Sequence, residues 1–399
     1  MAKRQFKAES KRLLDLMINS IYTHKEIFLR EIISNASDAI DKLCYLSLTD
    51  ENVGLKREDF AITLSIDKEN RTLTVSDNGI GMDADELENN LGVIASSGTF
   101  QFRQELDKEA EADVIGQFGV GFYSAFMVAD EVTVITKAFG SDTAYKWHST
   151  GLDGYTITEC EKAGVGTDVI LHLKDEDKSF LDEWTLRSTI TKYSDHIATP
   201  VYLWTKAPEP ADKKEDEVVP EGEWSQVNDA KALWTMAPKD VTEDQYKAFY
   251  KHLAHDYSDP LAWAHNRVEG DLEYTSLLYL PSEAPWDLYS RDQQQGLKLF
   301  VQRVFIMEKA DAFLPNYLRF VRGLIDTNDL PLNVSRELLQ ESRVVSKLKR
   351  AVTKRSLDMI EKLTEDAAKY RTFWTQFGRV LKEGVVEDPS NREKIVKLL

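Results

Sequence analysis

Residues 206–223 constrain the fold more than any other part of the chain, because this stretch offers almost nothing that a core can bury. The segment, KAPEPADKKEDEVVPEGE, contains three prolines, seven acidic residues and three basic residues. This composition is typical of a solvated linker. The chain of 399 residues is long enough for two cores. We therefore predict an N-terminal domain at 1–205, a charged linker at 206–223 and a second domain at 224–399.

Helical and strand patterns alternate in the N-terminal domain. The runs AITLSID and TLTVSD are β-patterned and are joined by a polar turn, so they predict a hairpin. Helices on one side of mostly sequential strands indicate an α+β fold, built as a two-layer α/β sandwich. Further helices are predicted at 8–22, 26–43 and 83–95, a helix running into a strand at 121–139, and strands at 145–149, 155–160 and 167–173.

The second domain is predicted to be α/β with a terminal helical segment. Helix formers dominate residues 336–383, and the last residues, NREKIVKLL, begin a further helix, so we expect this domain to be incomplete at its C-terminal end. The other elements predicted here are a helix at 243–257 and strands at 274–281 and 296–307.

The net charge disfavours some classes of partner, and the cysteine content indicates the compartment. The net charge of −18 disfavours nucleic acid and anionic membranes, because like charges repel. Cys44 and Cys160 provide neither a disulfide framework nor a metal-ligand spacing, which favours a reducing compartment. The N-terminus has no secretory apolar region, and no run of about 18 apolar residues occurs. We therefore predict a cytoplasmic protein.

Residues 28–43, FLREIISNASDAIDKL, place three polar side chains on one helical face. Glu31, Asn35 and Asp38 stand at i, i+4 and i+7, within an arc of about 60°. Apolar residues surround that face, so Asn35 needs hydrogen-bond partners and Glu31 needs a charge partner or water. A ligand that carries a metal ion supplies both, whereas the structural alternative is a helix with one polar edge.

The stretch TLTVSDNGIGM, residues 72–82, ends a predicted strand on a carboxylate. Asp77 precedes two glycines, and Asp-Asn-Gly is by itself a favoured turn. In a binding site, Asp77 would accept a hydrogen bond from an exocyclic amine. Gly81 would let a flat base approach the backbone, and Met82 would pack on that base.

A glycine-rich segment, IGQFGVGFYSAF at 115–126, leads into a helix predicted to start near Phe122. Free N–H groups and the positive end of a helix dipole suit phosphates at such a point. The segment lacks the Gly-Lys-Ser ending of a P-loop. The small and charged residues between two glycine hinges, over about 91–121, fit a mobile lid.

A fourth stretch lies after the linker. In LPLNVSRELLQESR, residues 330–343, Asn333 or Ser335 caps a predicted helix, and Arg336 and Gln340 then project from one face of it. This pattern is compatible with an ordinary exposed helix start. It is also compatible with an arginine that reaches a terminal phosphate.

The order of these stretches resembles the Bergerat-fold ATP cassette shared by gyrases, 90-kDa heat-shock chaperones, histidine kinases and mismatch-repair ATPases. The pattern runs from Glu31 and Asn35 through Asp77-x-Gly-x-Gly and the glycine-rich segment to GVGTDVIL at 164–171. Within that group, the chain resembles the bacterial 90-kDa heat-shock chaperones over essentially its whole length. The stretches that carry this resemblance are HKEIFLRE, ISNASDA, SDNGIGM, IGQFGVGFYSAFMVAD, DPLAWAHNRVEG and LPLNVSRELLQ.

The resemblance implies an ATP-dependent molecular chaperone that hydrolyses ATP to ADP and phosphate with Mg²⁺. It implies that Glu31 is the general base, that Asn35 helps to hold Mg²⁺, and that Arg336, with Gln340 beside it, reaches the γ-phosphate. Asp38 would act through water, and Asp77 would bind the adenine amine. The implied nucleotide site consists of Asn35, Asp38, Asp77, Gly81, Met82, Asn90, Gly119, Val120, Gly121, Phe122 and Thr167.

The same resemblance implies unfolded client proteins and other chaperones as partners, with neither nucleic acid nor membrane. Family members continue past residue 399 into a C-terminal dimerisation domain, which this chain is expected to lack. Ser96 stands where the family usually has a lid lysine.

Six aromatic residues crowd the second domain, most of them expected in its core and the exposed ones in a client patch: Tyr257, Trp263, Trp286, Tyr289, Phe313 and Tyr317.

Two other functions stay open at this point. One is a nucleotide-binding scaffold with negligible hydrolysis. The other is a different Bergerat-fold ATPase, of the DNA topoisomerase or mismatch-repair type. The net charge of −18 disfavours the second alternative, and a salt-dependent complex with DNA would favour it.

Overall fold

The computed structural model divides into two units, Met1–Lys231 and Ala232–Leu399. Each unit has its own sheet and its own helices. The residues that the structure describes are 24–47, 50–93, 121–151, 154–205, 222–270, 272–290, 296–328, 330 and 343–399.

One layer of the first unit is a sheet of eight strands. The strands are β1 (Ile62–Asp67), β2 (Thr72–Asp77), β3 (Ala129–Lys137), β4 (Ala144–Ser149), β5 (Tyr155–Cys160), β6 (Gly166–Leu173), β7 (Val201–Thr205) and β8 (Glu223–Gln226). Their order in the sheet is β5-β4-β3-β6-β2-β1-β7-β8. Neighbouring strands are antiparallel except for β1 and β7, which are parallel.

The other layer is helical and is centred on α1 (Ile27–Leu46). This helix is buried on most of its circumference, because it packs on the sheet and also against α3. A capping box of Asp83 and Glu86 starts the shorter helix α2. The helices are α1, α2 (Ala84–Leu91) and α3 (Glu183–Ser194), with 3₁₀ helices at Glu51–Val53, Arg57–Asp59, Gly121–Met127 and Asp175–Leu181.

Strand register explains where the core of the first unit lies. Apolar side chains of three adjacent strands form cross-strand rows on the face that packs against the helices. The two rows are Leu73, Leu171 and Val132, followed by Val75, Val169 and Val134. The next row in register is polar, and it consists of Asp77, Thr167 and Thr136.

The predicted α+β sandwich is confirmed. The hairpin, the strands at 145–149, 155–160 and 167–173, and the long helix all lie within a few residues of their predicted bounds. The segment predicted as a helix near Phe122 is a 3₁₀ helix of seven residues rather than an α-helix. The predicted helix at 8–22 lies outside the described residues.

The predicted start of the second domain needs a correction. Strand β8 pairs antiparallel with β7, and Trp224 packs edge-on against Trp204 at 5.1 Å between ring centroids. These contacts join residues after the charged segment to the first sheet. The second unit therefore begins at Ala232 and not at residue 224. Residues 206–221 of the predicted linker lie outside the described part of the chain.

The second unit is built on a sheet of five strands. They are β9 (Ala262–Val268), β10 (Tyr274–Leu280), β11 (Leu297–Val301), β12 (Val304–Ala310) and β13 (Arg322–Thr327), in the order β12-β11-β13-β10-β9. The helices are α4 (Glu243–Ala254), α5 (Arg343–Leu363), α6 (Ala367–Glu387) and α7 (Arg392–Lys397), with 3₁₀ helices at Leu233–Thr235, Pro238–Asp240, Asp311–Phe313 and Asn316–Leu318.

The sequence prediction of one strand at 296–307 is wrong, because this run forms the hairpin of β11 and β12. Gln302 and Arg303 make its two-residue turn, with φ of 50° and 66°. Two consecutive left-handed residues match the twist of a hairpin, but glycine or asparagine usually occupies them. The core beside this sheet includes Phe320, which stacks on Phe377 of α6 at 4.7 Å.

None of the helices within the described ranges is both long enough and apolar enough to cross a membrane.

Gly79 allows the end of β2 to lie against α1, and we expect Gly79→Ala to destabilise the first unit. A Cβ at this position would lie 2.5 Å from Ala39 C and 2.6 Å from Ile40 N, which are backbone atoms that cannot move aside. Overpacking of this kind costs about 1–3 kcal/mol. Thermal unfolding measures the loss.

The matched control is Gly164→Ala, since a Cβ at Gly164 has no heavy atom within 4 Å and its φ is not left-handed. This control should change the free energy of unfolding by less than about 0.5 kcal/mol. Equal unfolding midpoints for the two variants would show that the α1 contact does not constrain β2.

Candidate functional site

The polar face predicted on α1 is present and is mostly buried. Glu31 and Asp38 are 1% and 2% exposed, whereas Asn35 is partly accessible. Lys42 follows Asp38 by one turn. Burial lowers the pKa of Lys42, and the charges of Asp38 and Glu86 oppose that shift. The face therefore combines buried carboxylates, a cation and one amide that solvent reaches.

Glu31 is one half of a buried ion pair with the preceding residue. Arg30 Nη2 and Nε donate to Glu31 Oε1 over 2.7 Å and 2.9 Å. Oε2 of the same carboxylate lies beside Gly121, where a Cβ would be only 2.5 Å from it. Glycine at 121 leaves this space to the Glu31 carboxylate. The sequence predicted both residues for the site, but Arg30 was missed.

Asp77 is held at the end of β2 by the turn that follows it. The Gly79 N–H donates to Asp77 Oδ1 over 2.9 Å. Ile80 N–H donates to Ala39 O of α1 over 3.0 Å, which ties this turn to the helix. Gly81 has φ of 68°, and a Cβ there would lie 1.9 Å from Lys137 O. The two glycines thus fix the carboxylate against both layers.

Thr167 and Thr136 continue the polar row that starts at Asp77. Thr167 pairs with Asp77 across β2 and β6, and with Thr136 across β6 and β3. The two hydroxyl oxygens are 2.9 Å apart, and Met82 N–H donates to Thr136 Oγ1 over 2.9 Å. Thr136 was not predicted for the site, because only strand pairing connects it to the Asp77 stretch.

The sheet is open to solvent next to this polar row. Val169 lies in a central strand and on the face towards the helices, yet it is only partly buried, as are Asp77 and Met82. An apolar floor beside fixed hydrogen-bonding groups suits a flat heteroaromatic ring. The residues present therefore fit the base of a nucleotide.

The environment of Asp77 favours the protonated form of its carboxyl. Burial raises the pKa of the Asp77 carboxyl to about 7, although the Gly79 N–H and the charge of Lys162 oppose this shift. A donor that hydrogen-bonds the ionised form would lower the pKa again. An exocyclic amine is such a donor.

The end of α2 and the 3₁₀ helix Gly121–Met127 form one border of the site. Asn90 lies in the last turn of α2 and is partly accessible. Tyr123 donates its hydroxyl proton to Leu91 O over 3.0 Å, which connects the two elements. Phe122 packs edge-on against Trp147, and the buried Trp147 Nε1 has no hydrogen-bond partner within the described ranges.

Several predicted site residues lie outside the described part of the chain. They are Gly119, Val120, Arg336 and Gln340, together with Ser96 and most of the predicted lid. The structure does bring together Glu31 with Gly121, Asp77 with Thr167, and Met82 with the polar row.

Comparisons with known proteins cover nearly all of the chain. Residues 22–163 match the family model described as histidine kinase-, DNA gyrase B-, and HSP90-like ATPase, and residues 209–399 match the model described as Hsp90 protein. The chain is 56% identical over 401 residues to "Chaperone protein HtpG" of Yersinia pestis, which covers 99% of this chain. The chain belongs to the Hsp90 family.

Two further relatives of the same name show similar identity. "Chaperone protein HtpG" is 56% identical in Klebsiella pneumoniae and 55% identical in Cronobacter sakazakii, again over 99% of this chain. This Hsp90-family chain spans 63% of the length of these relatives. The predicted family is therefore confirmed, and a topoisomerase or mismatch-repair ATPase is not supported.

The raised pKa of Asp77 predicts an unusual pH dependence of stability. The folded state keeps a proton up to about pH 7, whereas the unfolded chain releases it near the ordinary value of 3.8. Stability therefore falls as pH rises between these two values. Asp77→Asn removes this titration, so its stability relative to the unaltered protein should increase from pH 4 to about pH 7 and then level off. Thermal unfolding across this range measures the difference.

Asp175→Asn is the control of opposite sign. Lys178 and Arg71 hold the pKa of Asp175 below its usual range, so its contribution to stability is lost as pH falls. A constant difference between Asp77→Asn and the unaltered protein at every pH would contradict the assignment of a neutral carboxyl at Asp77.

Proposed function

We propose that this Hsp90-family chain binds ATP in the first unit, hydrolyses it with Mg²⁺, and acts in an ATP-dependent molecular chaperone. The observation that carries the proposal is the partly exposed sheet face at Val169 beside Asp77. This face lies in the layer that packs against α1, the helix that carries the buried Glu31. The match of residues 22–163 to an ATPase model supports the same assignment.

The proposed site residues divide into groups that suit the parts of a nucleotide. Asp77 and Thr167 would bind the base, with Gly81 and Met82 along its plane and Asp38 acting through water. Asn90, the backbone of Gly119 and Val120, and Gly121 and Phe122 would line the ribose and phosphates. Arg336 and Gln340, which lie outside the described residues, remain the proposed partners of the γ-phosphate.

Asn35 is the proposed protein ligand of Mg²⁺. Its side chain is partly accessible, and an amide oxygen is a suitable hard donor. Within the described ranges, no three acidic, histidine or cysteine side chains gather as a metal-binding set. A single amide donor such as Asn35 fits Mg²⁺, because this ion often takes only one or two protein ligands and completes its shell with phosphate and water. Bound there, the ion would neutralise charge on the phosphates.

Glu31 is the proposed general base that accepts a proton from the attacking water. Buried carboxylates beside a substrate commonly serve this role. One observation favours the alternative of a nucleotide-binding scaffold with negligible hydrolysis. Glu31 Oε1 already accepts two N–H groups of Arg30, so this oxygen does not receive a proton while the ion pair is formed.

Client binding is proposed for exposed aromatic residues of the second unit. Tyr257 and Trp286 are each 96% exposed and Tyr289 is 49% exposed, whereas Phe313 and Tyr317 are fully buried. Exposed apolar side chains are suited to hold the apolar segments of unfolded proteins. Other chaperones as partners, homodimerisation of the full-length relatives, and a cytoplasmic location remain predictions.

Glu31→Gln should separate binding from hydrolysis. Glutamine can still accept hydrogen bonds from Arg30. Glu31→Ala would instead leave the buried guanidinium of Arg30 without a partner residue at position 31, at a cost of about 3–5 kcal/mol. We expect ATP affinity to be retained and phosphate release to fall by about a hundredfold or more, because the base is removed. Calorimetry and phosphate release from Mg-ATP measure the two quantities.

Glu69→Gln, in the exposed turn between β1 and β2, is the control and should leave both quantities unchanged. Normal turnover in Glu31→Gln would exclude Glu31 as the base. If the unaltered chain releases phosphate no faster than Glu31→Gln at every protein concentration, the nucleotide-binding scaffold with negligible hydrolysis would be favoured. A rate per chain that rises with concentration would show that chains act in pairs.

A further inference from the structure

Thr136 is a fully buried hydroxyl at the end of the polar row, with three polar neighbours. Its side chain belongs to a residue with 0% exposure. Met82 N–H donates to Thr136 Oγ1 over 2.9 Å, and Gly166 O lies 3.2 Å from the same atom. Thr167 Oγ1 is the third neighbour, at 2.9 Å. These contacts determine where the proton of each hydroxyl lies.

A threonine hydroxyl has one proton to donate and two lone pairs that accept. The Met82 N–H can only donate, and the Gly166 carbonyl can only accept. These two contacts use one lone pair and the proton of Thr136. The remaining lone pair faces Thr167 and accepts the Thr167 hydroxyl proton. This arrangement alone satisfies all three contacts of a hydroxyl that water does not reach.

Thr167 then has no proton left for its other neighbours. It stands directly opposite Asp77 in the pairing of β2 and β6, so the two side chains share one face of the sheet. Above about pH 7 the Asp77 carboxyl is ionised, and an ionised carboxylate also presents only lone pairs. The end of the row therefore offers two adjacent hydrogen-bond acceptors and no hydroxyl donor.

We propose that Thr136 sets the hydrogen-bond polarity of the base pocket by holding the Thr167 proton, so that the pocket accepts a 6-amino purine and rejects a 6-oxo purine. This inference rests on the proposed nucleotide site. An exocyclic amine brings two N–H donors to the two acceptors, whereas a 6-oxo group sets a further acceptor against them. Thr136 is a positioning residue, because it acts through Thr167.

The experiment compares ADP with IDP, which differ at C6 of the purine, by calorimetry on the whole chain. Thr136→Val keeps the shape of the side chain and removes its hydroxyl, so the Thr167 proton becomes free to point at the base. We expect the preference for ADP over IDP to fall by about tenfold. Both ligands are measured on one preparation, so partial unfolding cancels from this ratio.

Two variants control for a structural effect. Thr136→Ser keeps the hydroxyl and should restore the preference of the unaltered protein. Thr133→Val removes a hydroxyl from the same strand but from its other face, where Thr133 Oγ1 lies 3.0 Å from His148 Nδ1. The preference should be unchanged in this variant.

Equal weakening of ADP and IDP in Thr136→Val, or an unchanged ratio, would overturn the inference. If this variant does not fold, Thr167→Val takes its place, and an unchanged ratio there would overturn the inference as well. When both variants fold, the double variant should lose no more of the preference than Thr167→Val alone. Failure of the unaltered chain to bind ADP would instead overturn the proposed function and this inference with it.

Discussion

The packing of the Gly79–Ile80 turn on helix α1 is the contact on which the candidate site depends. Ile80 N–H donates to Ala39 O over 3.0 Å, and the Gly79 backbone lies too close to Ala39 for any side chain. This contact joins the end of β2, which carries Asp77, to the middle of the helix that carries Glu31. This contact is made by backbone atoms, so side-chain rotation cannot change the spacing between α1 and the end of β2.

The first unit buries several polar groups, and they differ in how their burial is compensated. Glu31 has the guanidinium of Arg30, and Thr136 and Thr167 have each other. Asp77 receives the backbone N–H groups of Gly79 and Thr167, yet burial keeps its pKa near 7. A ligand that donates to this carboxylate therefore gains more here than at a carboxylate that is already well solvated or paired. This difference makes Asp77 the anchor of recognition in the proposed function.

Local patterns in the sequence predicted most of the elements, and the failures have physical causes. The hairpin of β1 and β2 was readable because its turn is polar and its strands are short. The hairpin of β11 and β12 was not, because Gln302 and Arg303 carry no turn signal although both have positive φ. Strand β8 follows a charged segment, and only its pairing with β7 assigns it to the first unit. Such pairing depends on packing in the folded protein and not on the local sequence alone.

The sequence alone determined the polar face of α1, the carboxylate at the end of β2 and the family to which the chain belongs. These properties reside in residue type and spacing along a continuous segment, where helical and strand periods apply directly. The tertiary structure decided the position of the Arg30–Glu31 ion pair beside Gly121, and it decided the row of Asp77, Thr167 and Thr136. Thr136 and Thr167 are 31 residues apart, and Met82 and Thr136 are 54 apart. Only strand register brings such residues into hydrogen-bond distance, because register depends on packing across the whole sheet.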